Sequence, residues 1–122
     1  MVKYKSTVIE IGDMVADFLN QKMIIIFDET APMELREMSV IHSGGTLVKD
    51  VVTGDTVVFG DTTYEITALG KVANKNLKNI GHVCLKFDAR TSPELPGDVH
   101  LRGDGIPLIK KGDTILIRSS EI

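Results

Sequence analysis

Short β-branched runs punctuated by Gly-Asp pairs constrain this chain more than any other feature. The pair occurs at Gly12-Asp13, Gly54-Asp55, Gly60-Asp61, Gly97-Asp98, Gly103-Asp104 and Gly112-Asp113. Glycine reaches positive φ without strain, and an aspartate carboxylate bonds back to nearby backbone amides, so each pair marks a turn. The runs between turns read as strands: Tyr4–Ile11, Met23–Phe27, Leu47–Val51, Thr56–Phe59, Thr62–Leu69, His82–Phe87, Asp98–Arg102 and Thr114–Arg118. Along the last, Ile115 and Ile117 share one face, as period-two alternation requires. Many short strands with tight turns predict a mainly β fold, a small closed or partly closed β-barrel.

Two or three short helices fit between the strands. Asp13 is placed to cap a helix carrying Val15, Phe18 and Leu19 on one face. Thr30 is placed to cap a second, with Pro32 and Glu34 in its first turn and Met33, Leu35 and Met38 to bury it. A third spans about Val72 to Ile80 and ends before Gly81, a residue suited to a left-handed cap. The turn spacing of Gly54–Asp61 is echoed in Gly97–Asp104, which two similar hairpins explain as well as duplication would. With 122 residues and no linker or low-complexity stretch, residues 1–122 read as one domain.

Composition excludes several functions. A net charge of −3, from 17 acids against 14 bases with no Lys/Arg cluster, gives nucleic acid no basic surface. Cys84 is the only cysteine, which argues against a disulfide scaffold and for a reducing compartment. The longest apolar run, Met23 to Phe27, falls far short of the roughly 20 residues of a membrane span. Met1-Val2-Lys3-Tyr4-Lys5 has no apolar stretch after its lysines, so no secretory signal is read there and a cytoplasmic protein is expected. No Walker A or dinucleotide glycine pattern occurs, so no cofactor is expected.

The chemistry therefore rests with three histidines. His42 lies in Ser39-Val40-Ile41-His42-Ser43-Gly44-Gly45-Thr46, where an apolar pair delivers the ring to a glycine-rich turn. Glycines let backbone amides crowd an anion, and Ser43 and Thr46 add hydroxyl donors. A neutral imidazole is a competent nucleophile near neutral pH. The plainer reading is a loop histidine beside a turn. His82 shares a strand face with Cys84 and Lys86, opposite Val83, Leu85 and Phe87; it is either a surface histidine or a partner of His42. His100 sits beside Arg102 on what reads as a solvated strand face. A metal site on His42, His82 and His100 is a third possibility, although no ligand spacing marks one.

Longer stretches carry a resemblance. The run from Thr67 to Phe87, together with Val40-Ile41-His42, Leu95-Pro96-Gly97-Asp98-Val99-His100 and Thr7-Val8-Ile9-Glu10-Ile11-Gly12, is similar to the glucitol/sorbitol-specific IIA component of the sugar phosphotransferase system, in the same order along nearly the whole chain. That resemblance implies a cytoplasmic phosphocarrier with a small closed barrel. It would take phosphate from the carrier protein HPr and give it to the IIB unit of a sorbitol transporter, next to its membrane-embedded IIC unit. It places the phosphorylated histidine at His42. Where the family often has a second histidine, this chain has Gly44. The expected mechanism uses Nε2 of His42 as nucleophile, with Nδ1–H fixed by a carbonyl or carboxylate. Amides of Ser43 to Gly45 with Thr46 would hold phosphoryl oxygens, and His82 would assist in the second sphere. No metal is required. A docking patch is expected around Ile41 and the Met33/Met38 region. The rival reading is a non-catalytic small β-barrel binding module.

Overall fold

A computed structural model describes residues 1–120. Eight strands and three short helices follow in the order β1 (Val2–Ile11), α1 (Val15–Asn20), β2 (Met23–Asp28), α2 (Met33–Arg36), β3 (Ser39–His42), β4 (Thr56–Phe59), β5 (Thr62–Leu69), α3 (Ala73–Ile80), β6 (Val83–Lys86), β7 (Asp98–Arg102) and β8 (Thr114–Arg118). The strands close into a barrel in the order β1-β3-β2-β6-β7-β5-β4-β8. Closure leaves no unpaired sheet edge. The expected mainly β barrel with short helices is the fold found.

Alternation places the core. Tyr4, Val8, Ile24, Ile26, Val40, Val57, Phe59, Tyr64, Ile66, Val83, Leu85, Leu101, Ile115 and Ile117 are buried in one cluster inside the barrel. A smaller cluster of Phe27, Ala31 and Ile41, with Leu35 and Ile80 against it, lies outside the barrel wall under α2. Successive residues of β3 thus serve two cores, Val40 the inner and Ile41 the outer.

The Gly-Asp turns act as read, and their geometry repeats. In Val52–Asp55, Leu95–Asp98 and Lys110–Asp113 the aspartate N–H donates to the carbonyl three residues back. In each, the aspartate carboxylate accepts the N–H of that same residue. Gly54 and Gly112 hold φ of +92° and +91°, which explains glycine before those two aspartates.

The pairings are related by an internal two-fold pattern. Antiparallel β1·β3 and parallel β2·β3 match antiparallel β5·β7 and parallel β6·β7, and β1·β8 matches β4·β5. The loops match bond by bond. Gly12 N–H donates to Ser39 and Gly70 N–H to Asp98; Met14 N–H donates to Glu37 and Val72 N–H to Pro96; Gly54 N–H donates to Ile66 and Gly112 N–H to Val8. A Cβ on Gly12 or Gly70 would meet a backbone carbonyl oxygen at 2.3 or 2.1 Å, so both halves need glycine at the same turn. The two halves are thus equivalent, in a register different from the Gly54/Gly97 echo seen in the sequence.

Some local expectations fail. Leu47–Val51 is not a strand, because the Asn74 side chain bonds both the N–H and the C=O of Val51 and takes the place of a ladder. Ser39–His42, not expected as a strand, is one. Neither Asp13 nor Thr30 caps a helix: Met14 and Pro32 stand at those N-caps without side-chain bonds, and Thr30 bonds the Asp28 carboxylate instead. The second helix buries none of its residues, and Met33 is 79% exposed. The third ends as expected, with Gly81 at φ +60°. Among the described residues no helix is long and apolar enough to cross a membrane.

Candidate functional site

His42 is the last residue of β3 and points inward with Val40, so its imidazole enters the barrel core. It is 0% exposed, with the Tyr4 ring edge-on at 6.1 Å between centroids. A ring delivered to the glycine-rich turn beside a docking patch, as read from the sequence, would be open to a partner; in the state observed it is sealed. The reason is the register. Val8 pairs with His42 just before a shift in β1, as Ile66 pairs with Leu101 just before the matching shift in β5. His42 stands in the core position that Leu101 fills in the other half.

Both ring nitrogens are bonded, and their partners define the tautomer. The Gly81 carbonyl oxygen, which only accepts, is 2.7 Å from Nε2. The Gly44 N–H, which only donates, is 3.1 Å from Nδ1. Only the neutral form with its proton on Nε2 satisfies both. The Ser6 hydroxyl, 2.7 Å from Nδ1, then donates to the same lone pair. This reverses the expected arrangement, in which a backbone acceptor would hold Nδ1–H. Burial pushes the imidazole below its ordinary value of 6.5, opposed in part by the Gly81 carbonyl and the charge of Asp28. Asp28 pairs with His42 across β2 and β3.

The turn after β3 contributes unequally. Ser43 is exposed, with its Oγ 3.2 Å from Ser6 Oγ and accepting the Thr7 N–H. Gly44 holds φ +78° and aims its amide at the ring. Gly45 packs against the Lys5 carbonyl, where a Cβ would come within 2.4 Å, and Thr46 is exposed. Neither Gly45 nor Thr46 makes a hydrogen bond to the ring among the described residues.

Ser6 and Gly81 were missed by sequence reasoning. Ser6 is 3% exposed on a strand, and only its pairing position brings it to His42. Gly81 was read as a helix cap. It is also the cover of the imidazole: a Cβ there would lie 2.6 Å from Cε1 and 2.9 Å from Nε2 of His42.

His82 follows Gly81 but bonds elsewhere. Its Nδ1–H donates to the Ile26 carbonyl at 3.0 Å, and its ring stacks on Phe27 at 4.4 Å. Ile41, expected in a docking patch, is fully buried. His100 is not on a solvated face. It is 0% exposed, its Nδ1–H donates to Asp88 at 2.8 Å and its Nε2 accepts the Glu94 N–H. It ties the 88–97 loop to the barrel, beside Lys86 bridging Glu94 and Asp98 at 2.8 Å each. Arg102, beside His100 in the sequence reading, pairs with Glu65. Each histidine has its own partners, and among the described residues no three His, Cys, Asp or Glu side chains form a metal-holding group.

Residues 3–116 match the family model described as the PTS system glucitol/sorbitol-specific IIA component. Two curated proteins so named, from Shigella flexneri and Escherichia coli, are each 40% identical over 102 residues, 84% of this chain and 83% of theirs. A crystal structure of a PTS system IIA component from Enterococcus faecalis superposes with a TM-score of 0.81 at 38% identity, covering 91% of this chain and 96% of that one. With the match running through both halves of the barrel, the chain belongs to the glucitol/sorbitol-specific IIA component family of the phosphotransferase system, and its role is that of a phosphocarrier working with other proteins of that system.

Proposed function

We propose that His42 carries the phosphoryl group, as a phosphohistidine formed on Nε2. One observation carries this reading: an imidazole, not an apolar side chain, occupies the core position that Leu101 fills in the other half of the barrel. Its sealed, doubly bonded state runs against the expectation of a ring open to a partner, so the reading requires an opening step. Burying a polar ring costs free energy that an apolar side chain would not, and here the ring adjoins an exposed glycine turn. The phosphoryl group arrives from phospho-HPr and leaves to the IIB unit of a sorbitol transporter beside its IIC unit. The chain acts in the cytoplasm as one phosphocarrier domain.

Transfer is an in-line displacement between nitrogens. The Nε2 lone pair forms the new N–P bond while the donor's N–P bond breaks, and the donor imidazole keeps that electron pair. The Gly81 carbonyl must withdraw first, because it occupies the line of approach. Gly81 ends α3 in a left-handed conformation, where a glycine peptide reorients without a Cβ penalty. His82 holds the far side of that peptide through Ile26 and Phe27, which is its second-sphere role. On the turn after β3, the Gly44 and Gly45 amides and the Thr46 hydroxyl then receive phosphoryl oxygens; the Ser43 amide, expected among them, donates to the Thr7 carbonyl, so Ser43 takes part through its hydroxyl.

The test is phosphate transfer from phosphorylated HPr to wild-type, His42→Ala and His82→Ala proteins. Wild type should gain acid-labile, base-stable phosphate. His42→Ala should gain none, and His82→Ala should be labelled but pass phosphate on more slowly. Full labelling of His42→Ala would overturn the assignment. Absence of label on the wild type would favour a non-catalytic barrel.

A further inference from the structure

Transfer through Nε2 requires a lone pair where the resting ring carries a proton. One proton must leave Nε2 and one must reach Nδ1. Nδ1 is sealed from solvent, and the side chain that touches it is Ser6. Ser6 Oγ in turn lies 3.2 Å from Ser43 Oγ, and Ser43 is exposed. A second acceptor for the Ser6 hydroxyl, the Gly44 carbonyl oxygen, lies 3.2 Å away.

Resting on the reading that His42 is phosphorylated on Nε2, we propose that Ser6 is a positioning residue that relays a proton between the exposed Ser43 and Nδ1 of His42, and so sets which ring nitrogen is nucleophilic. The balance is simple. Ser6 gives its hydroxyl proton to Nδ1 and takes one from Ser43, which water reprotonates. The Nε2 proton goes to water as the Gly81 carbonyl withdraws. No net charge enters the barrel. Afterwards Nδ1–H donates to Ser6 Oγ, and the Ser6 hydrogen turns to the Gly44 carbonyl. The hydroxyl is satisfied in both states because it both donates and accepts. The half-buried Gly44 amide, which loses its acceptor, is then free for a phosphoryl oxygen.

The experiment begins with the unphosphorylated protein labelled with 15N-histidine, so its outcome does not depend on any phosphoryl donor. Ser6→Ala should leave His42 in the Nε2–H form but move its Nδ1 resonance toward that of an unbonded imine nitrogen, because the Ser6 donor is gone, and Ser6→Thr should restore wild-type ring shifts; an unmoved Nδ1 resonance would overturn the Ser6 contact. In phosphate acceptance, Ser6→Ala should be slowed about 100-fold, the usual scale of a lost proton-transfer group, and Ser6→Thr should recover most of the rate. Ser43→Ala, cutting the relay at its solvent end, should slow acceptance without changing the resting tautomer, and it keeps the proposal testable should Ser6→Ala not fold. Wild-type acceptance by Ser6→Ala or Ser43→Ala, or phosphate found on Nδ1 of the wild type, would overturn the relay. Labelling of His42→Ala would instead overturn the carrier assignment and leave the 15N result standing.

Discussion

The Gly81 carbonyl oxygen sits 2.7 Å from Nε2 of His42, so the end of α3 is a stopper over the barrel's buried imidazole. Nothing larger than hydrogen fits at position 81, for two independent reasons. Its φ is +60°, and a Cβ would contact the ring of His42. Gly81→Ala should therefore destabilise the protein by about 1–3 kcal/mol, from left-handed backbone strain and crowding together. Urea denaturation measures this. Unchanged stability would show that α3 relaxes away from His42 easily.

Stability should depend on pH through His42. Its folded pKa is depressed, chiefly by burial. The unfolded chain therefore takes up a proton at a pH where the native ring does not. The stability tied to the neutral ring is fully present above about pH 6.5 and declines as pH falls below that value toward the folded pKa. Nuclear magnetic resonance should show the His42 ring titrating below 6.5, with the denaturation midpoint falling over the same window. A His42 ring titrating above 6.5 would contradict the buried neutral form.

Lys3 and Asp55 form an ion pair of 2.6 Å with both side chains 4% exposed. Lys3 also donates to the Asp50 carbonyl, and Asp55 accepts the Val52 N–H, so the pair ties β1 to the turn before β4. Asp55→Ala strands a buried ammonium and should cost about 3–5 kcal/mol. Adding Lys3→Met should recover a large part of that loss, because the stranded charge is gone. A denaturation cycle over the two single variants and the double variant tests this. A double variant no more stable than Asp55→Ala would show that the turn bond to Val52, rather than the charge, carries the energy.

The burial of His42 also changes how docking must work. Under the proposal that Nε2 carries the phosphoryl group, no partner reaches it while the closed state persists, so transfer would include an opening step at Gly81. Ile41 and Val40 remain packed beneath and belong to the walls, not to the docking face.

What the chain determines on its own is local. Alternating β-branched residues and Gly-Asp turns specify strands, since side-chain period and positive-φ turns are properties of neighbouring residues; the positions of β4, β5, β7, β8 and α3 follow from them, and the resemblance of Val40-Ile41-His42 points to His42 as the proposed phosphoryl carrier. What only the tertiary structure decides is which distant residues meet. The Asn74 amide stands in for a strand partner of Val51, the matching shifts in β1 and β5 put His42 where Leu101 would suffice, and Ser6 and Gly81 reach its two nitrogens from elements far away in sequence. Ladder register and barrel closure set those meetings, and neither is written in any short stretch of residues.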